Sequence, residues 1–361
     1  MLKQYAVPLG LLALVPIAPA LNYLVGASPI LVFVTGCLAI AVLADWVRRA
    51  TEQLANRVGP AIGGLLNVSF GSVAELVLAL FVLASGRPDV VRAQITGSII
   101  GTSLLGLGLA IVMGGIGRER QSFKRDRASL LSSLLILVVI ALLLPAVFDL
   151  AGRTVTEKPN LGFSEEELSL CVSAVLLLLY AANLAYTFVT HRDVFAADNE
   201  ESGEAAWPLW VSLGLLVGFT VVIALEAELV SGALETTSAT LGLSPIFLGV
   251  IVLALVGTAA DLFASVWFAR QDRMGLVMSI CIGSAIQMAL VIAPLLVLVS
   301  WLIGHPMTLL FSNPLDLFAI AGTTFIVNAI AGDGETTWFE GVVLIGVYVL
   351  LGLAYFFVGP A

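Results

Sequence analysis

The stretches GSVAELVLA (residues 71–79) and GTAADLFAS (residues 257–265) share one pattern, in which an acidic residue follows a glycine by four positions inside an apolar run. The acids are Glu75 and Asp261, which are 186 residues apart. The same offset aligns the later sequences GSII and GSAI, so that the serine of each follows its acid by 23 residues. The chain therefore contains an internal repeat, and a membrane-embedded acid is part of what is repeated.

The composition is that of an integral membrane protein. Of the 361 residues, 60% are hydrophobic and 11% charged, and the mean hydropathy is +1.07. Apolar runs of roughly 20 residues recur, each long enough to cross a hydrocarbon core of about 30 Å as a helix. Alternating polar and apolar strands are missing, which argues against a barrel. The net charge of −9 argues against a nucleic-acid partner.

Hydropathy predicts an all-α protein with eleven transmembrane helices. The first resembles a signal sequence, but ten spans follow and no small-residue cleavage site is evident, so it is expected to be retained. Twelve of the sixteen basic residues fall on the side of the N-terminus, which predicts a cytoplasmic N-terminus and a C-terminus outside. The predicted spans lie near residues 6–24, 28–47, 61–85, 89–115, 128–150, 166–190, 207–230, 245–269, 274–303, 313–331 and 338–358.

The repeat divides these helices into two sets of five. Because five is odd, the two copies cross the membrane in opposite senses, which is typical of transporters whose binding sites lie near the midplane. The predicted organisation is an extra N-terminal helix (1–26), a first inverted repeat (27–192), an acidic cytoplasmic linker (193–206) and a second inverted repeat (207–361).

The two repeated acids are the main candidates for function. An ionised carboxylate at mid-membrane depth is costly, and such residues normally serve ion or proton pathways. Symmetry predicts that Glu75 and Asp261 share one site. The alternative is that each is neutral and bonded to a neighbouring helix as a structural link.

The residues beside the acids indicate an oxygen site. Gly71 and Gly257 can loosen the helix so that a carbonyl turns toward a cavity, and Ser72 and Thr258 add hydroxyl oxygens at matching positions. Such a set suits a hard cation such as Ca²⁺. Both histidines lie in predicted loops and the three cysteines lie in apolar runs, where packing is their expected role, so a zinc or copper site is disfavoured.

Protons are expected to compete for the same oxygens. Carboxylates brought together in a low-dielectric site have raised and coupled pKa values. One site then alternates between two protons and one divalent cation. Exchange follows if the empty, doubly charged site cannot switch its access from one side of the membrane to the other.

These segments resemble a known family. LLNVSFGSVAELVLALFVLASG (65–86) resembles the first signature of the cation/proton exchangers, the Ca²⁺/H⁺ antiporter family of the cation/Ca²⁺ exchanger superfamily, and the segment at 256–301 resembles the second. The likeness covers nearly the whole chain. It implies an eleven-helix fold with an extra first helix, two inverted repeats, and export of cytosolic Ca²⁺ driven by proton entry.

The resemblance assigns roles residue by residue and also shows departures. It implies that Glu75 is the first metal-binding acid and Asp261 the second, where the family usually has glutamate. Ser72 and Thr258 stand where the family has asparagines. A shorter acid and two lost amide carbonyls change the cavity size and the oxygen count, which decide between cations.

Polar residues on the following helices are the remaining cavity candidates. Ser98, Ser284 and Gln287 come next to the acids in the repeat, although small residues such as the serines also serve helix packing. An amide in hydrocarbon needs partners, and Gln287 matches the family as it stands. The resemblance adds Thr102, where relatives commonly have asparagine.

Four further acids are gating or regulatory candidates. After an insertion in the second copy, Asp45 and Glu52 align with Glu228 and Glu235, and each pair is seven residues apart on one helix face. The resemblance implies that their helices rock as gates and that the acidic linker senses Ca²⁺. The alternative is that the four acids and the linker are solvated.

Other functions remain open at this point. A Na⁺ or K⁺ for proton exchanger of the same fold is the nearest alternative, because the site departs from the family. An intramembrane aspartyl protease needs two aspartates, and an open channel fits an enclosed acidic pair less well. No nucleotide-binding loop is present, which argues against ATP-driven pumping. We expect a transporter without enzymatic activity or cofactor, in a prokaryotic inner or plasma membrane.

Overall fold

A computed structural model describes residues 10–58, 70–155, 162–186, 207–311 and 313–358. Over these residues the fold is helical apart from one short ribbon. Within these described ranges, nine helices are long and apolar enough to cross a membrane, and two apolar helices are shorter. The helices are α1 (Leu12–Val25), α2 (Pro29–Val58), α3 (Val73–Ala84), α4 (Pro88–Gly115), α5 (Arg125–Val155), α6 (Gly162–Ala185), α7 (Leu209–Leu241), α8 (Pro245–Arg270), α9 (Met274–Leu302), α10 (Pro314–Asp333) and α11 (Trp338–Phe357).

Two predicted boundaries are wrong by three turns. Helix α2 runs to Val58 and α7 to Leu241, eleven residues past their predicted ends. Both extensions lack proline, and in α2 the ion pairs of Arg48 with Asp45 and Glu52, at helical spacing, support the last turns. The predicted start of the third span and the acidic linker lie outside the described residues, and eleven spans remain a prediction.

Three of the long helices contain a π-helical segment. These are Gly101–Gly106 in α4, Leu248–Leu253 in α8 and Met288–Ile292 in α9. With the 186-residue offset of the repeat, the segment in α4 aligns with residues 287–292, and that range includes the segment in α9. A π-helical segment shifts the hydrogen-bond register of a helix and is frequent at functional sites.

The helices form two compact units. The first comprises Met1–Val91, Tyr186–Ala260 and Val358–Ala361, and the second comprises Arg92–Ala185 and Asp261–Phe357. Each unit takes segments from both halves of the chain. The predicted repeat boundaries are a separate division of the sequence, and they remain a prediction.

In the first unit the long helices α2 and α7 pack along each other, and α3 packs on α7. Trp46 stacks on Trp207 with ring centroids 6.2 Å apart, and the Arg57 Nε donates to the Trp207 carbonyl at 2.7 Å. Gly36 allows a close approach of α2 and α7, because a Cβ there would lie 2.7 Å from the Val230 Cγ2. Small residues at helix interfaces permit such contact in membranes.

In the second unit α4 packs on α11 and α5 on α10. A two-residue ribbon, β1 (Gln121–Ser122) with β2 (Glu335–Thr336), joins the chain after α4 to the chain before α11. The buried Gln121 side chain donates to the Ile111 carbonyl at 2.9 Å, and Arg118 donates to the Ala269 carbonyl at the end of α8. These bonds fasten one end of the unit.

Exposed tryptophans mark the ends of helices. Trp210 begins α7, Trp267 and Trp301 lie near the ends of α8 and α9, and Trp338 begins α11, and all four are exposed. Tryptophan is enriched at membrane interfaces, so these positions agree with a membrane-spanning protein. Of the cysteines, Cys37 and Cys281 are buried as expected, whereas Cys171 is exposed on α6.

Candidate functional site

Glu75 lies at the start of α3. Gly71 is in a turn, Ser72 is the N-cap residue, and Glu75 occupies the first helical turn. Its side chain is 1% exposed, and Ser72 is also buried. The positive end of the helix dipole favours negative charge at this place. Gly71 was expected to loosen a helix, and in the structure it lies in the turn just before α3 begins.

The Glu75 side chain lies against the backbone of α8 at Gly257, within the first unit. A Cβ added to Gly257 would be 2.7 Å from the Glu75 Cγ and 3.5 Å from its Cα and Cβ. Only a glycine leaves this space. The acid of the first motif thus contacts the glycine of the second motif, a contact that neither motif alone predicts.

On α8 the second motif is regular helix. Residues 254–270 are α-helical, so Gly257 does not interrupt the helix as expected; the irregular turn is the π-helical segment just before it. Thr258 is buried, and its hydroxyl donates to the Ala254 carbonyl at 2.9 Å. Its oxygen lone pairs stay available as acceptors. Asp261, one turn after Gly257, is half-buried.

The cavity candidates on α4 are fully buried. Thr102, in the π-helical segment, donates its hydroxyl to the Ser98 carbonyl at 2.8 Å. The Ser98 carbonyl, three residues before the π-helical segment, therefore already accepts a hydrogen bond. The Ser98 hydroxyl, 1% exposed, has no hydrogen-bond partner among the described residues. A buried hydroxyl without a partner is uncommon and is expected to meet water or an ion.

On α9, Ser284 is buried and Gln287 is half-buried. Gln287 is the last residue before the π-helical segment of this helix. The polar candidates of both helices therefore lie inside a π-helical segment or within about one turn before it. This matching was not visible from side-chain patterns.

The four gating candidates are at or near the surface, and three of them are in ion pairs. Asp45 accepts from Arg49 at 2.6 Å, and Glu235 pairs with Arg87. Glu52 pairs within its own helix, and Glu228 is exposed. The described residues hold no cluster of three or more His, Cys, Asp or Glu side chains suited to a metal.

One buried acid was missed by the sequence analysis. Glu226, in the middle of α7, is completely buried, and neither carboxylate oxygen has a hydrogen-bond partner among the described residues. It lies in the run ALEAELV, inside a predicted span, where any acid is unusual. The repeat drew attention to acids with a counterpart, and Glu226 has none.

Comparisons with known proteins agree with these features. A family model described as "Sodium/calcium exchanger protein" matches residues 28–189 and 211–357. The chain is 38% identical to a protein named Ca(2+)/H(+) antiporter from Aphanothece halophytica, over 99% of this chain and 98% of the relative. It is 39% identical to a protein of the same name from Synechocystis, over 97% and 96%.

A solved structure gives the same result for the fold. The structure titled "Structure of native YfkE" matches with a TM-score of 0.82 and 31% identity, over 96% of this chain and 98% of that chain. The family model covers most of the chain, and the named relatives align with it almost from end to end. The chain belongs to the sodium/calcium exchanger protein family.

Proposed function

We propose that this protein is a secondary antiporter that exchanges Ca²⁺ for protons, with Glu75 and Asp261 as shared ligands and proton carriers. The single observation that carries the proposal is the packing of the buried Glu75 side chain on the backbone of Gly257. Asp261 follows Gly257 by one turn of the same helix. The relatives named Ca(2+)/H(+) antiporter support the choice of ions.

The oxygens available near the two acids suit a hard cation. Besides the two carboxylates, Ser72 and Thr258 bring hydroxyl oxygens. We assign further oxygens to backbone carbonyls of the π-helical segment just before Gly257. Ca²⁺ takes about 6–8 oxygen ligands in flexible geometry, which such a mixed set can supply. Gly71 and Gly257 contribute by leaving room for backbone approach.

The ion pathway is assigned to residues of α4 and α9 as well. Ser98, Thr102, Ser284 and Gln287 are its proposed lining residues, and the unpartnered Ser98 hydroxyl is the strongest sign among them. Freed carbonyls beside discontinuous helices are how transporters of this general kind hold ions. The π-helical segments of both helices provide that irregularity.

Competition for the carboxylates explains the coupling. Ca²⁺ bound to both carboxylates neutralises them, and so do two protons, whereas the empty site keeps two negative charges in a low-dielectric region. Alternating access is then restricted to the loaded forms. In this scheme the N-terminus is cytoplasmic, and Asp45, Glu52, Glu228 and Glu235 act at the gates rather than at the site.

Proton flux in acid-loaded proteoliposomes tests the proposal, with Glu75→Gln and Asp261→Asn as neutral variants of similar volume. We expect proton release when Ca²⁺ is added, and its loss in both variants. Release with Na⁺ or K⁺ but not with Ca²⁺ would favour a monovalent cation exchanger of the same fold, in which Ser72, Thr258 and Asp261 have changed selectivity. No release with any cation would refute exchange.

A further inference from the structure

Glu226 stands in an environment that disfavours its ionised form. The side chain is completely buried in the middle of α7, a 33-residue helix, and no described residue donates to either oxygen. The backbone of α2 lies close to it, since a Cβ built on Gly36 would be 3.5 Å from the Glu226 Oε2. A carboxylate so placed must hold a proton or a cation.

A proton fits these surroundings better than a divalent cation. Besides the Glu226 oxygen, the atoms nearest a Cβ built on Gly36 are methyl carbons of Val230 and Ala18. Ca²⁺ needs about 6–8 oxygens, and the described residues offer no cluster of acids or histidines here. One carboxylate among methyl groups can bind a proton but cannot complete a calcium shell.

The packing of α3 on α7 gives the relative depth of Glu226 and Glu75 within the first unit. The Ser85 hydroxyl donates to the Ser231 hydroxyl at 3.3 Å, and Arg87 pairs with Glu235 two to four residues further on. The two helices therefore run in the same direction. Glu75 precedes Ser85 by ten residues on α3, and Glu226 precedes Ser231 by five residues on α7. At 1.5 Å per residue, Glu226 therefore lies roughly 7 Å closer than Glu75 to the end where the two serines meet.

The elements packed on α7 carry few groups that titrate. Residues 17–20 of α1 and 245–247 of α8 carry none, α3 carries Glu75, and α2 carries Cys37 beside Gly36. The charged residues of α2 near the membrane surface, Asp45 and its arginine partners, begin nine residues beyond Gly36. Glu75 is thus the one buried carboxylate on the packed elements to which Glu226 can be related.

We propose that Glu226 is a second proton-carrying carboxylate, which passes protons between Glu75 and the end of the first unit where Ser231 and Glu235 lie. Buried acids at successive depths are the arrangement that proton pathways in membrane proteins use. The proposal rests on the proposed function for the role of Glu75. It adds a residue that has no counterpart in the repeat and is no part of the calcium site.

Two transport modes of Glu226→Gln test this role. Exchange of labelled for unlabelled Ca²⁺ needs no proton, whereas Ca²⁺/H⁺ exchange does. We expect Ca²⁺/H⁺ exchange to fall at least about tenfold, as for loss of a proton-transfer group, while Ca²⁺ self-exchange stays within about twofold of the wild type. The control Glu166→Gln, at an exposed position on α6, should leave both modes unchanged.

Normal Ca²⁺/H⁺ exchange in Glu226→Gln would overturn the proposal, and so would equal loss of both modes. Failure of the proposed function looks different, because wild-type protein would then transport Ca²⁺ in neither mode. Labelling of the wild type with dicyclohexylcarbodiimide, which attacks protonated carboxyl groups in apolar surroundings, needs no variant to fold. We expect label on Glu226 that declines as the pH rises, and absence of label at every pH would overturn the proposal.

Discussion

The contact of Glu75 with Gly257 makes Gly257→Ala the sharpest test of the site. The added Cβ would lie 2.7 Å from the Glu75 Cγ, about 0.8 Å closer than the ~3.5 Å of an ordinary carbon contact. The Cα and Cβ of Glu75 would lie at an ordinary contact distance of 3.5 Å, so the clash is with the Cγ alone. Rotation about the Cα–Cβ bond moves the Cγ away but carries the carboxylate out of its place. Either α3 shifts away from α8 or the carboxylate is displaced.

Both responses have a predictable magnitude. Overpacking of this kind in a well-packed interior costs about 1–3 kcal/mol. A displacement of about 1 Å at a reacting or ligating group reduces rates by up to ~100-fold. We therefore expect Gly257→Ala to lower kcat/KM for Ca²⁺ by about ten- to a hundredfold and to lower the melting temperature.

Uptake of labelled Ca²⁺ into acid-loaded proteoliposomes, over a range of Ca²⁺ concentrations, gives KM and maximal rate separately. The matched control is Gly322→Ala in α10, where an added Cβ meets nothing within 4 Å. Alanine there should be neutral or slightly stabilising, by up to about 1 kcal/mol. A wild-type kcat/KM and melting temperature for Gly257→Ala would refute the assigned contact.

Two further predictions concern the second unit. Gly341→Ala should destabilise the packing of α11 on α4 and lower the melting temperature, because its Cβ would lie 2.7 Å from the Gly108 carbonyl oxygen. The control is Gly346→Ala on the same helix, where an added Cβ meets nothing within 4 Å and the melting temperature should stay unchanged. Tyr355→Phe removes the hydroxyl that donates to the buried Asp316 Oδ1 at 2.6 Å and should cost about 1–3 kcal/mol. A double-mutant cycle of Tyr355→Phe with Asp316→Asn tests that bond, and strictly additive losses would show that the two side chains do not interact.

The sequence predicted the burial of two candidate residues but not their backbone setting. Glu75 and Thr258 are both buried, which agrees with the expectation that polar residues inside an apolar run face the interior of a membrane protein. Their role as ligands stays a prediction. The contact of Glu75 with Gly257 could not be predicted, since it depends on how α3 and α8 pack. Nor could the π-helical segments, because a shift in hydrogen-bond register leaves no trace in hydrophobic periodicity.

Helix ends were predicted less well for a physical reason. Hydropathy detects where the apolar run stops, but a helix stops only where its backbone hydrogen bonds stop. In α2 the residues after 47 are good helix formers with ion pairs one turn apart, so the helix continues to Val58. In α7 the chain continues until Gly242, which adopts a positive φ of 66° as the C-cap.

The position of Glu226 makes the two halves of the proposed exchanger unequal for protons. In the predicted repeat alignment that pairs Asp45 with Glu228, the counterpart of Glu226 is Leu43, which is also buried. Two identical inverted repeats would offer protons the same groups on both sides of the membrane. An acid in one repeat and a leucine in the other make the two proton pathways chemically different. In the proposed exchanger, protons therefore reach Glu75 through a carboxylate from one side only, which is an asymmetry that the paired acids cannot provide.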